Sequence, residues 1–171
     1  MVMVSSVNGK ITRGEDPDIY SWTSKEDADF FFSLLNQHNL IVMGSITYEA
    51  ARNKIKPDKE RLRVILTRTP EKYAKDAIRG KLEFTSESPK KLVKRFEKGG
   101  YNTMLLVGGG KTNALFLEAS LVNEIYLTVE PKLFGMGKSL IAEGNFTKNL
   151  KLQSVKKLNE QGTLLLKYNI V

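Results

Sequence analysis

Cysteine is absent from this chain, and histidine occurs once, at His38. Disulfides, thiolate nucleophiles and cysteine zinc sites are thereby excluded, and a serine-histidine triad has a single imidazole from which to be built. No metal site is expected, and any chemistry falls to carboxylates, hydroxyls or a borrowed cofactor. Long apolar runs are also missing: no segment approaches the roughly 20 residues that a membrane span requires. Met1, Val2, Met3, Val4 and Ser5 lack the basic region and long apolar stretch of a secretory leader. The expectation is a cytoplasmic protein without a membrane partner. Internal repeats and low-complexity segments are absent too.

What is present fits one folded domain over residues 1–171: 41% of the residues are hydrophobic, enough for a sizeable core in one domain and little for two. The formal charge of +8 favours anionic partners. The lysines are spread over residues 54–59, 90–98 and 148–157 rather than gathered in one tract, which reads as solvated faces. Basicity alone therefore selects no partner.

Apolar periodicity orders the chain. Residues 2–7 read as a strand, followed by the turn signal Asn8-Gly9-Lys10 and a long loop to Trp22. Ser24 is a helix N-cap, with Glu26 and Asp27 in the first turn and Phe30, Phe31, Leu34 and Leu35 at helical spacing. Strands are expected at 40–43, 62–67, 82–85, 104–107 and 124–129. Helices are expected at 46–54, from Pro89 to the Gly99-Gly100 pair, and at 112–119. Residues 150–158 and 163–170 form a final pair about the turn Asn159-Glu160-Gln161-Gly162. Strands alternating with helices imply a mainly parallel sheet covered on both faces, with an antiparallel hairpin at its end.

The most informative segment is Val107-Gly108-Gly109-Gly110-Lys111-Thr112, where a buried strand ends in three glycines and becomes a helix. Residues without Cβ let another molecule approach the backbone, and the first amides of the helix face the same space unpaired. In open α/β sheets ligands bind beyond the carboxyl ends of the strands. That rule gathers Gly44, Ser45 and Thr47, then Thr67 and Arg68, and then the triple-glycine turn with Lys111. Small, hydroxyl and basic residues of this kind suit phosphates, and a dinucleotide is favoured over a purely structural turn.

At this point the chain resembles the dihydrofolate reductase superfamily. The resemblance rests on Ile41-Val42-Met43-Gly44, Thr47-Tyr48-Glu49, Val64-Ile65-Leu66-Thr67-Arg68, Val107-Gly108-Gly109-Gly110 and Ile125-Tyr126-Leu127-Thr128, with Trp22, Asp27 and Phe31 at the spacing of its active-site helix. It runs in order over nearly the whole chain. It implies an eight-stranded twisted sheet, here mostly parallel, with about four flanking helices, a cis peptide joining the first two glycines, and NADPH at the carboxyl edge.

For the substrate, the resemblance implies Asp27 as the carboxylate that pairs with a pterin-like ring, selected over Glu26 and Asp29 by its spacing from Trp22. Thr128 would bond to that carboxylate, and Phe31 and Val4 would line the ring. Arg61 would hold a substrate carboxylate. For the cofactor it implies Gly44, Ser45, Thr47, Val107, Gly108, Gly109, Gly110 and Thr112 about the diphosphate and nicotinamide. Thr67, Arg68 and Lys111 would take the 2′-phosphate, although Ser45 stands where arginine is common. Residues 8–24 would form a mobile lid.

Two reactions share this architecture. The expected one is NADPH-dependent reduction of dihydrofolate, by hydride transfer to pterin C6, carried by Trp22, Asp27, Phe31, Arg61 and Thr128. The alternative is the riboflavin-pathway pyrimidine reductase, which converts a ribosylamino-pyrimidine phosphate to its ribityl form; residues 6–11, Trp22-Thr23-Ser24 and Glu124-Ile125 lean that way. A basic nucleic-acid-binding domain is a remote third reading, disfavoured because Phe30, Phe31 and Phe32 cluster on a helix instead of on a strand face. The partner is thus a small molecule and not nucleic acid, in a monomer or homodimer.

Overall fold

The computed structural model describes residues 1–56 and 58–171. Eight strands and four α-helices follow the expected order: β1 (Val2–Ser6), α1 (Lys25–Asn36), β2 (Leu40–Gly44), α2 (Ser45–Ala51), β3 (Leu62–Leu66), β4 (Leu82–Thr85), α3 (Pro89–Lys98), β5 (Leu105–Leu106), α4 (Gly110–Glu118), β6 (Glu124–Glu130), β7 (Leu150–Lys157) and β8 (Leu164–Ile170). Two short 3-10 turns, Ile19–Ser21 and Pro70–Tyr73, were not signalled by periodicity, since a single turn is too short to display one.

The strands do not form the single, mostly parallel eight-stranded sheet expected from the sequence. They form two four-stranded sheets, an all-parallel one in the order β4-β3-β2-β5 and a mixed one in the order β1-β6-β8-β7. In the mixed sheet only β1 and β6 run parallel, whereas β8 is antiparallel to both β6 and β7. The division falls at β5, which offers just Leu105 and Leu106 to a ladder before the chain reaches its glycines.

Two core layers nevertheless draw on both sheets. Alternation along β2 sends Leu40 and Val42 to one layer, with Met1, Met3, Val64, Leu106 and Ile125, under Leu92 and Phe96 of α3 and Phe116 and Leu117 of α4. It sends Ile41 and Met43 to the other, with Val2, Ile65 and Leu105, under Leu34 and Leu35 of α1 and Tyr48 of α2. This period-two division of one strand between two helical layers is why its sequence reads as a continuous apolar run.

The segment expected as a lid is partly tied down. Ile11 and Gly14 donate backbone bonds to Lys138 O and Met136 O (2.9 and 3.0 Å), and Leu140 donates to Gly9 O (2.9 Å). Asn8 Nδ2 donates to Phe134 O at 2.7 Å, and Thr12 Oγ1 accepts from Lys138 N–H at 2.8 Å. A Cβ at Gly137 would stand 2.1 Å from Thr12 O, so these two loops meet closely only because residue 137 is glycine.

Phe116 is fully buried at the centre of the first layer. Phe116→Ala should destabilise the protein by about 3–5 kcal/mol, read as a lowered midpoint in chemical denaturation with an unchanged slope.

Candidate active site

The parallel register of β2 and β3 aligns Gly44 with Leu66, so Ser45 and Thr67 leave their strands side by side. On the other flank of β2, Val107 donates to Val42 O (2.9 Å) and Gly44 donates to Gly108 O (2.8 Å), which extends the β2·β5 pairing past the last ladder residue. Gly108 has φ +94° and joins Gly109 through a cis peptide bond. Around this joint the glycines are closely surrounded: a Cβ at Gly44 would lie 2.3 Å from Thr112 Oγ1, and one at Gly109 would lie 3.1 Å from Thr47 Oγ1. Thr47 and Thr112 thus bring hydroxyls against bare backbone.

Helix α4 begins at this joint with Gly109 as an N-cap that has no side-chain hydrogen bond. Its first internal bond runs from Asn113 N–H to Gly109 O, which leaves the amides of Gly110, Lys111 and Thr112 without a helical partner. Unpaired amides and the positive end of the helix dipole favour an anion here. Lys111 and Arg68 are exposed at the rim, and neither pairs with an acid among the described residues. The expected set Gly44, Ser45, Thr47, Thr67, Arg68 and Val107 to Thr112 is therefore assembled along the carboxyl edge of the parallel sheet.

The substrate-side residues collect at the start of α1. Ser24 caps the helix, its Oγ accepting the Asp27 N–H at 3.3 Å. Asp27 is buried, and its carboxyl is pushed up to about 6, first by burial and further by the negative charge of Glu130, while Thr128 acts in the opposite sense. Thr128 is completely buried on β6 opposite Val4 of β1, and its hydroxyl has no hydrogen-bond partner of ordinary geometry. Trp22, buried edge-on against Phe134 at 5.1 Å between ring centroids, likewise carries an unpartnered indole N–H. Buried polar groups left unpaired are costly, and Asn113 Oδ1 and Asn169 Oδ1 share that state elsewhere in the fold.

Phe31 lies one turn beyond Asp27 and Leu35 one turn beyond Phe31, so all three share one stripe of the helix. Arg61 is placed apart. It stands beside the last turn of α1, where its guanidinium meets Asp58 at 3.1 Å and donates to Asn36 Oδ1 at 3.0 Å, about 13 Å along the helix from Asp27. It borders a cleft of about 470 Å³ lined by Phe32, Leu35, Lys54, Lys56 and Arg63 among others. Sequence reading missed Glu130, which is 2% exposed and acts on Asp27. Its signal was available: it follows Thr128 by two residues and so shares that residue's face of the strand.

The sequence pattern of the RibD C-terminal domain matches residues 1–164. The chain belongs to that family. The RibD C-terminal domain is a member of the dihydrofolate reductase-like superfamily, so the resemblance holds, but the match is to the pyrimidine reductase-like RibD family rather than to the folate branch expected first. No curated protein sequence matches the chain significantly.

Solved structures share the fold of this RibD-type chain. A pyrimidine reductase-like protein of Corynebacterium diphtheriae superposes with a TM-score of 0.81 at 15% identity, over 99% of this chain and 90% of that one. A Shewanella sp. PV-4 protein described as a riboflavin biosynthesis protein gives 0.79 at 20% identity, over 99% and 97%. A diaminohydroxyphosphoribosylaminopyrimidine deaminase/5-amino-6-(5-phosphoribosylamino)uracil reductase of Thermotoga maritima gives 0.74 at 15% identity, over 99% of this chain and 55% of that one.

Because the carboxyl of Asp27 is raised from 3.8 to about 6, its ionisation opposes folding. The sign follows from linkage: the unfolded chain loses this proton at lower pH than the folded one, so the contribution of Asp27 to stability is most favourable below about pH 4, falls until about pH 6 and then declines further to a limit set by the two pKa values. Asp27→Asn should therefore be the more stable protein at pH 8, by about 3 kcal/mol at most, and should lose that advantage by pH 4. Urea denaturation of both proteins at the two pH values measures the difference.

Proposed function

We propose that this RibD-family chain is an NADPH-dependent reductase of a phosphorylated ribosylamino-pyrimidine, converting the ribosyl group to ribityl. What supports this choice over dihydrofolate most is the family match over residues 1–164. The site agrees in one further respect. Arg61, on which a folate carboxylate would depend, is already engaged by Asp58 and Asn36.

The residues at the glycine joint fit a dinucleotide. The glycines at 44, 108 and 109 let Thr112, Asn113 and Thr47 pack onto the backbone at this joint, the α4 amides suit a diphosphate, and Arg68 and Lys111 offer cations to a 2′-phosphate. Ser45 contributes a hydroxyl and no charge, so selectivity for the phosphorylated dinucleotide falls mainly to Arg68. When bound, the reduced nicotinamide supplies a hydride.

The chain's own part begins with Asp27, whose carboxyl holds its proton to about pH 6 and can hydrogen-bond to, and protonate, a heteroatom of the substrate. Thr128 and Trp22 offer one unpaired polar group each to orient the substrate or a water. A molecule lying along the Asp27, Phe31 and Leu35 stripe reaches the cleft where Lys56, Lys59 and Arg63 stand with Asp58 and Glu60, and where Lys54 is paired with Asp18 at 3.0 Å; the excess of cations suits a phosphate.

An absorbance assay of NADPH oxidation is expected to show turnover with the deaminated ribosylamino-pyrimidine phosphate and none with dihydrofolate; the reverse pattern would restore the folate reading. Binding can be tested separately through Gly44→Ala, whose methyl group would collide with Thr112. That variant should weaken NADPH binding at least about tenfold, a loss of about 1.4 kcal/mol, as measured by calorimetry. Unchanged affinity would remove the glycine joint from the cofactor site.

A further inference from the structure

A buried polar network joins three distant parts of the chain beneath the start of α1. Glu130, at the end of β6, is 2% exposed, and its carboxylate accepts two hydrogen bonds. Oε1 accepts the backbone N–H of Ser24 at 2.7 Å, and Oε2 accepts the Thr163 hydroxyl at 2.8 Å. Thr163 is fully buried, and its oxygen accepts from Asn159 Nδ2 at 3.0 Å while its N–H donates to Asn159 Oδ1 at 3.1 Å. Asn159 Nδ2 also donates to Glu26 Oε2 at 3.0 Å. The turn between β7 and β8, the end of β6 and the first turn of α1 are thus held together by one carboxylate and its partners.

Asp27 hangs on this network through Ser24, whose backbone is bound by Glu130 and whose hydroxyl caps the Asp27 N–H. We propose that Glu130 is a positioning residue of the active site, fixing the first turn of α1 so that the Asp27 carboxyl stays in register with Thr128 while a fixed negative charge stands behind it. The inference rests on the reading of Asp27 as the carboxyl that faces the substrate.

The surroundings explain why a charge at residue 130 reaches Asp27. On α1 itself, Lys25 is paired with Asp29, and Glu26 is turned to Asn159. On β6 the groups acting on Asp27 are the Thr128 hydroxyl and Glu130. On β8, Lys167 is paired with Glu124 at 3.0 Å, at the opposite end of the sheet. β1 places Val4 and Ser6 across from Thr128 and Glu130, and neither ionises. Among the described residues these elements place no free cation beside the two carboxyls, so a negative charge on Glu130 opposes ionisation of Asp27.

The test separates charge from reach. Glu130→Gln keeps the shape and the acceptor for Ser24 but removes the charge; Glu130→Asp keeps the charge but shortens the side chain. In the full-length protein without ligand, carboxyl-carbon NMR is expected to show Asp27 titrating about half a pH unit or more lower in Glu130→Gln. The corresponding limb of the kcat/KM profile should move with it. Glu130→Asp should leave that limb in place and lower kcat about tenfold through the loosened turn.

An Asp27 titration unmoved in Glu130→Gln, with full activity kept in Glu130→Asp, overturns the inference. Should Glu130→Gln fail to fold, Thr163→Val carries the test of reach: a kcat equal to that of the unsubstituted protein would overturn it. Because the NMR titration needs no substrate, it decides the role of Glu130 even if the unsubstituted protein fails to reduce the pyrimidine. Such a failure would defeat the proposed reaction alone.

Discussion

Gly44 donates its N–H to Gly108 O at 2.8 Å, and much of the site depends on that bond. It forms where the β2·β5 ladder has already ended, and it brings the end of one strand against the turn that starts α4. Thr112 closes over Gly44 so tightly that a methyl group has no room, and Thr47 closes over Gly109. The consequence is a short stretch of bare backbone flanked by hydroxyls and unpaired helix amides. Its physical chemistry suits an anion carried by a flat or extended ligand.

The second half of the site is built on the opposite principle. Around Asp27 the polar groups are buried, and the environment is apolar enough to hold a carboxyl near pH 6 in its protonated form. One half offers exposed cations and unpaired helix amides, the other a desolvated acid with Thr128 and Trp22 nearby. On the proposed reading this division would serve a reductase, with the cofactor's phosphates bound by charge and amides and the reacting ring held where water is sparse and a proton is available.

Most of the fold was legible in the sequence because helices and strands write their periodicity locally. The boundaries of β4 agree with the expected 82–85, and α3 starts at Pro89 as anticipated. The glycine joint was legible for the same reason, as a short pattern beside a regular element, whereas Asp27 was singled out from Glu26 and Asp29 only by the family resemblance. The branch of the superfamily was read less well. Trp22, Asp27, Phe31 and Thr128 are compatible with either substrate, and the weight placed on Arg61 took no account of Asp58 and Asn36, which occupy it.

By itself, then, the sequence determined the order of strands and helices, the glycine turn after β5 and the cluster of acids in the first turns of α1. Tertiary structure alone decided that the strands divide into two sheets, that the loop after β1 is tied to residues 134–140, and that Glu130 joins Ser24 to Thr163. Those last contacts link residues 106 and 33 positions apart. A local pattern records which face of an element is apolar. It carries no trace of which distant carboxylate will be buried beneath it, because that depends on how whole layers pack.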